Sequence, residues 1–269
     1  MAIGISNTTR GIIASSYQST VTPAPSWTNT YSVRFDGVNE LARTINAGIE
    51  NDTKSGGRSI SVWFKLDALI NNGTLVRLQG NSTATYRGFW SLRLFNSGSN
   101  YVIRLQRRVN GGETFSPANV IDGSTPLAIG TWYNVVVTTN GSGHIFYLNG
   151  SVDMPRNTGC LGDWWGDCLF DDSQVGFALG GNPLVVNAIL SGNIDEVTYW
   201  DGELTSSEVT ELYNSGNPAD PTTHSQAANL LSYWKMGDGD TYPTLQDSAG
   251  SYDLTMLNME SGDIETDVA

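Results

Sequence analysis

One stretch constrains the fold more than any other: GNIDEVTYWDGELTSSEVTELYNSG, Gly192 to Gly216. It predicts a strand over Asn193 to Trp200, a tight turn at Asp201-Gly202, and a single helix. Thr205 followed three residues later by Glu208 is the pattern of a capping box, in which side chain and backbone at the helix start satisfy each other's orphan groups. Val209, Leu212 and Tyr213 then fall on one face at helical spacing, and Gly216 supplies a left-handed stop. Almost everything else in the 269 residues reads as strand and turn.

The strands are legible from strict alternation. Tyr31 to Phe35 precedes an Asp36-Gly37 turn. In SISVWFKL, Ser59 to Leu66, residues Ile60, Val62, Phe64 and Leu66 face one way and Ser61, Trp63 and Lys65 the other. Thr74 to Gln79 and Phe89 to Phe95 continue the pattern. Tyr101 to Val109 sets Tyr101, Ile103, Leu105 and Val109 against Arg104, Gln106 and Arg108, with Arg93 joining the arginine side. These arginines suit either an anionic partner or a solvated strand face with edge protection. TWYNVVVTTNGSGHIFYLNG, Thr131 to Gly150, predicts a hairpin about Asn140 to Gly143 and a second turn at Asn149-Gly150. Residues 151–173 read as an insertion-like loop, Val175 to Gly180 as a strand, Asn229 to Met236 as another, and Tyr252 to Leu257 as a short last one.

Composition limits the function. Abundant Gly, Asn, Ser and Thr with few charges favour strands and turns. No apolar run reaches the roughly 18 residues that cross a bilayer, which predicts no membrane insertion. The N-terminus lacks a basic start with a long apolar core, so it predicts no secretion signal. A net charge of −13 argues against nucleic acid as the partner. The charge is divided along the chain: 12 of the 14 Lys and Arg precede Val109, and 22 of the 27 Asp and Glu follow Arg108. That division fits two readings, interleaved strands or an acidic part of one subunit meeting a basic part of its neighbour. Cys160 and Cys168 are sterically able to close a small loop and form no disulfide framework or zinc motif.

FDGVNE at 35–40, SISVWFKL at 59–66, the hairpin at 131–150 and above all the strand–turn–helix at 192–216 resemble the laminin-G-like, concanavalin-A-like jelly-roll domains. NLLSYWKMGDGDTYPTLQDSAG resembles an element usually found ahead of such a domain, here placed after the helix. The resemblance implies an all-β fold, a two-sheet antiparallel jelly-roll sandwich with one short helix near 205–215. The expected organisation is an extended arm over 1–26, the jelly roll over 27–257 with connector and return strand at 217–257, and a peripheral acidic tail over 258–269. The termini resemble those of structural proteins of tailed bacteriophages.

Three kinds of site follow. With only His144 and His224 as imidazoles, a hydrolytic triad is not expected. Adjacent strand residues Asp195 and Glu196 are expected on opposite faces, so they do not form a glycosidase pair. Related domains imply a calcium ion held by Asp36, Asn39 and Asp195; the alternative is that Asp36 makes a turn and Asp195 binds loop backbone. Trp164 and Trp165 in CLGDWWGDC suit sugar stacking with Asp163 or Asp167 taking hydroxyls, or a local plug or subunit contact. The expected function is a non-enzymatic virion protein (capsid decoration, head fibre or tail accessory) at the virion surface. Its partners would be other virion proteins, further copies of itself and surface glycans. The alternatives are an extracellular carbohydrate-binding module or lectin of a bacterial surface, and a glycoside hydrolase of the same fold.

Overall fold

The computed structural model describes residues 27–53, 56–80, 88–108, 119–158, 164–168 and 174–269. The expected arm at 1–26 lies outside these residues, as do Asp163 and Cys160. Two antiparallel sheets face each other. Sheet A contains β1 (Ser32–Asp36), β3 (Arg58–Leu66), β8 (Trp132–Thr139), β9 (His144–Leu148), β10 (Ser151–Asn157), β12 (Ser191–Asp201), β13 (Leu230–Trp234) and β16 (Ile264–Glu265). Their order is β10-β9-β8-β3-β12-β1-β16, with β13 paired to the far half of β12. Sheet B contains β2 (Leu41–Ile45), β4 (Thr74–Gly80), β5 (Phe89–Asn96), β6 (Tyr101–Arg108), β7 (Val120–Asp122), β11 (Val175–Leu179), β14 (Thr244–Leu245) and β15 (Leu254–Leu257). Their order is β14-β15-β2-β11-β4-β5-β6-β7.

The alternation in the sequence decides which residues meet between the sheets. Ile60, Val62, Phe64 and Leu66 of β3 join Val135 and Val137 of β8 in one core with Leu78, Trp90, Leu92 and Leu105 of sheet B. Each of these side chains contributes roughly 1.5–3 kcal/mol by leaving water. Their odd-numbered neighbours on β3 point to the other side of sheet A, where Trp63 stacks on Tyr213 at 5.5 Å. Gly192 lets β12 lie against β3: its φ is +142°, and a Cβ there would sit 2.0 Å from the Lys65 carbonyl oxygen. Only glycine fits this approach.

The single α-helix, α1 (Ser206–Tyr213), packs on the outside of sheet A. Val209 and Leu212 join Val136, Tyr147, Trp200 and Leu204 in a second, smaller core. Thr205 caps its start, with the Glu208 N–H donating to the threonine hydroxyl and the Thr205 N–H donating to the Glu208 carboxylate. The helix stops earlier than Gly216: Asn214 takes the left-handed conformation at φ 46° and closes the last turn. Asn tolerates that region because its short polar side chain bonds locally.

Two expected loops are ordered differently. Part of the insertion at 151–173 is β10, an edge strand whose Ser, Asp, Pro and Arg residues conceal it. The acidic tail is not peripheral: Ile264–Glu265 pairs with Ser32–Val33, Lys65 forms an ion pair with Asp267, and the Ala269 N–H donates to Asp195 at 3.1 Å.

Candidate ligand-binding face

The outward face of sheet B over β4 to β7 is built by three strands written in the same code. In β5, Trp90, Leu92 and Leu94 enter the core, so Phe89, Ser91, Arg93 and Phe95 point away from it. In β6, Ile103 and Leu105 enter the core and Arg104, Gln106 and Arg108 point away. Arg77 and Gln79 of β4 do the same. Strand register then sets these residues in three rows: Gln79–Phe89–Arg108, Arg77–Ser91–Gln106 and Thr74–Arg93–Arg104–Asp122. Four arginines share one polar surface.

Neighbours on the face set their surroundings. Arg77 donates from Nε and Nη2 to the amide oxygen of Gln79 at 3.0 and 2.6 Å, and its guanidinium lies over Phe89 at 4.5 Å. Arg104 makes a bidentate pair with Asp122 at 2.5 and 2.7 Å and covers Phe95. Arg108 approaches Phe89 from the other side at 5.2 Å. Beneath this layer, Ser91 Oγ, Arg93 Nε and Gln106 Oε1 are buried and have no hydrogen-bond partner among the described residues. Burial, reinforced by the charges of Arg93 and Arg108, lowers the Arg77 guanidinium to about 9. Burial and then Arg104 lower Arg93 to about 10, against the opposing pull of Asp122.

Sequence reading placed Arg93, Arg104, Gln106 and Arg108 on one face and missed Arg77, Gln79 and Ser91. The signal was present in the Val76-Arg77-Leu78-Gln79 alternation, but only the register shows that these residues adjoin the other arginines.

The tryptophan pair lies elsewhere. Trp164 and Trp165 are fully buried between the sheets, where Trp90, Tyr199 and Phe177 surround them. Their ring nitrogens donate to Tyr199 Oη at 3.0 Å and the Ile49 carbonyl at 2.8 Å. The loop is therefore pinned by a plug and offers no ring face to a sugar; this corrects the assignment of Trp164 and Trp165 as ligand-binding residues. Asp167 accepts from the Trp164 N–H at 3.0 Å, a role inside the loop. Cys168 is buried beside it, with Sγ 3.4 Å from the Trp164 carbonyl.

The residues expected around calcium do not converge. Asp36 pairs with Ser191 while Ile194 pairs with Val33, so Asp195 lies four strand positions from Asp36 along the ladder, or about 13 Å. Ligands of one calcium stand about 2.5 Å from it, which this separation excludes for the pair. Asp36 instead accepts from the N–H groups of Val38 and Asn39, forming the turn. Asp195 accepts from the Asn29 side chain at 2.8 Å. Among the described residues no group of three or more His, Cys, Asp or Glu is placed to hold a metal ion.

Asp195 and Glu196 depart from alternation. A bulge between Asp195 and Thr198, with Glu196 at φ 45°, inserts one residue into β12. Both carboxyl groups are buried. Burial raises Asp195 to about 7 despite its bonds to Asn29 and Ala269. Burial first, and then the neighbouring Asp195, raise Glu196 well above the ordinary range, although the Tyr233 hydroxyl donates to it. Trp27 donates in turn to Tyr233 at 3.1 Å. Thus the pair underlies the segment by which residues 27–31 join the domain.

Two facing antiparallel sheets with this helix define a jelly-roll sandwich of the lectin type. Residues 36–210 match the model of the concanavalin A-like lectin/glucanases superfamily (Laminin G 3). The match spans more than half of the chain, and the protein belongs to that family. No curated protein sequence matches the chain. Among solved structures, a Bacteroides ovatus protein assigned to carbohydrate binding superposes with a TM-score of 0.58 at 18% identity, over 88% of this chain and 60% of its own. This chain therefore spans less than two thirds of that relative. The CBM40 module of the Ruminococcus gnavus IT-sialidase superposes with a TM-score of 0.52 at 13% identity, over 68% of this chain and 96% of its own. At these identities the likeness is one of fold. Among the described residues, no helix is long and apolar enough to cross a membrane.

Proposed function

We propose that this protein is a non-enzymatic glycan-binding domain and that its ligand lies on the outward face of sheet B over β4 to β7. The observation that carries the reading is the buried layer of Ser91 Oγ, Arg93 Nε and Gln106 Oε1, polar atoms without partners among the described residues, beneath a shell of arginine and phenylalanine. Leaving such atoms unpaired costs about 1–3 kcal/mol each. Polar groups set beside aromatic faces are the chemistry that takes sugar hydroxyls and the apolar side of a pyranose ring. Membership in a family of lectins and glucanases supports binding of this kind. The buried Asp195–Glu196 pair, held by Asn29, Tyr233 and Ala269, serves in this reading to attach the segments that carry those residues, not to cleave a bond.

The virion role rested on the termini. Residues 1–26 lie outside the described structure, and 258–269 pack into sheet A as part of the domain. Glycan binding, on an extracellular or surface-displayed protein, takes its place as the principal reading.

The test is a glycan array probed with the intact chain and with Arg93→Ala. Specific retention by the wild type, weakened at least about tenfold by the substitution at unchanged melting temperature, is expected. Retention of no glycan by the wild type, or equal retention by the variant, would contradict the assignment.

A further inference from the structure

We infer that the ligand of the sheet B face is an acidic sugar, one carrying a carboxylate or a sulfate ester that the arginines engage. This rests on the glycan-binding reading and names its chemical class. The starting point is a charge imbalance inside a strongly acidic protein. The net charge of the chain is −13, yet the outward positions of β4 to β7 carry Arg77, Arg93 and Arg104 against one carboxylate of those strands, Asp122. Asp122 is already taken by Arg104 in a bidentate pair.

Arg77 and Arg93 are left crowded by like charge. Arg93 and Arg104 are directly opposed across β5 and β6, a like-charge arrangement that destabilises a sheet when nothing lies between the two. Arg77 is buried, its amide partner Gln79 carries no charge, and the electrostatic influences on it come from two further arginines. A buried guanidinium without a counter-ion is costly. Its planar fork of N–H groups matches the two oxygens of a carboxylate or sulfate. Arg77 and Arg93 are diagonal neighbours on the face, because Arg77 opposes Ser91 and Arg93 follows two residues later on the same side. Diagonal side chains of this length reach one another across about 7–8 Å, so one oxyanion placed over Ser91 accepts from both. Phe89, beside Arg77 and Arg108, offers the adjoining ring face for the body of the sugar.

The experiment is titration calorimetry on the full chain with four probes. These are a uronic-acid oligosaccharide, its carboxyl-reduced counterpart, a sulfated oligosaccharide and its desulfated counterpart. Binding of at least one acidic probe, with a loss of about tenfold or more in its neutral counterpart, supports the inference, and which pair responds identifies carboxylate or sulfate. The affinity should fall as salt rises. Arg93→Gln and Arg77→Gln should each reduce it about tenfold, Arg93→Lys should restore part of the loss, and Arg34→Gln, on sheet A beside Asp67, should leave it unchanged. Equal binding of the acidic and neutral members of both pairs, or array retention of neutral glycans alone, overturns the acidic class and leaves glycan binding standing. Retention of no glycan of any kind overturns both.

Discussion

Trp164→Ala is expected to lower the stability of the domain by about 3–5 kcal/mol, the range for removing a buried tryptophan side chain from a core. Against a total of roughly 5–15 kcal/mol for a typical domain, such a loss brings the fold close to unfolding at ordinary temperature. The ring lies between the sheets, 5.1 Å from Trp90 of sheet B and nearly parallel to Tyr199 of sheet A at 6.1 Å. Alanine would leave a cavity touching both sheets and would remove the donor to Tyr199 Oη. That hydroxyl belongs to a chain running from Tyr199 to Asp52 and from Asp52 to Arg58, so the damage extends to the edge of the core. Urea unfolding measures the effect. Trp164→Phe should cost less, since it keeps an aromatic body and loses only the N–H and part of the volume. An unchanged midpoint in Trp164→Ala, together with loss of glycan retention, would show that the tryptophan pair is a binding surface and not a plug.

The domain is also expected to lose stability as pH rises from about 5 to about 8, opposite to the common trend in which paired carboxylates favour higher pH. In the folded state Asp195 keeps its proton to about 7, and Glu196 keeps its proton well above the usual range. An exposed carboxyl in the unfolded chain releases its proton near pH 4. Between those limits the folded state binds more protons than the unfolded state, and every step upward in pH favours unfolding. The contribution is fully present below about pH 4 and disappears as pH passes the folded values. Glu40, raised by burial to about 6, acts in the same direction. A tenfold difference in proton affinity between folded and unfolded chain is worth about 1.4 kcal/mol, which puts the loss from Asp195 alone on the order of 3 kcal/mol across the window, and Glu196 adds to it in the same direction. Melting temperatures measured from pH 5 to 8 should fall, and Glu196→Gln should flatten the profile by removing one of the two titrating carboxyls. A melting temperature that climbs through this window would show that the pair is ionised in the folded protein.

Both effects arise from features that a sequence reading treats unequally. The sandwich was legible because SISVWFKL and TWYNVVVTT alternate without interruption, and because Thr205 and Glu208 announce the helix start. The arginine face was half legible: Arg93, Arg104, Gln106 and Arg108 share a parity that local alternation reveals. Arg77 and Ser91 entered the site only through pairing between β4 and β5, a long-range register that no local pattern records. The bulge at Asp195–Glu196 was not legible because a period of two assumes a regular ladder, and one extra residue suspends it. The tryptophans left two readings open, a sugar-stacking surface and a local plug, for another reason. A Gly- and Asp-rich loop is ordinarily at the surface, whereas here two indoles draw it into the space between the sheets. The expected calcium ligands Asp36 and Asp195 share a ladder and not a neighbourhood, a separation that spacing along the sequence does not record.

The most direct measurement is a crystal structure of the intact protein with the tightest-binding glycan from the array. Density for the sugar across Arg77, Phe89, Arg93 and Arg104, with its hydroxyls or acidic group within hydrogen-bond distance of the Arg93 guanidinium, is the expected result. A sugar seated instead in the cleft of Trp27, Tyr233 and Lys235, or in the pocket of Asp52, Arg58 and Tyr252, would contradict the assignment of the sheet B face.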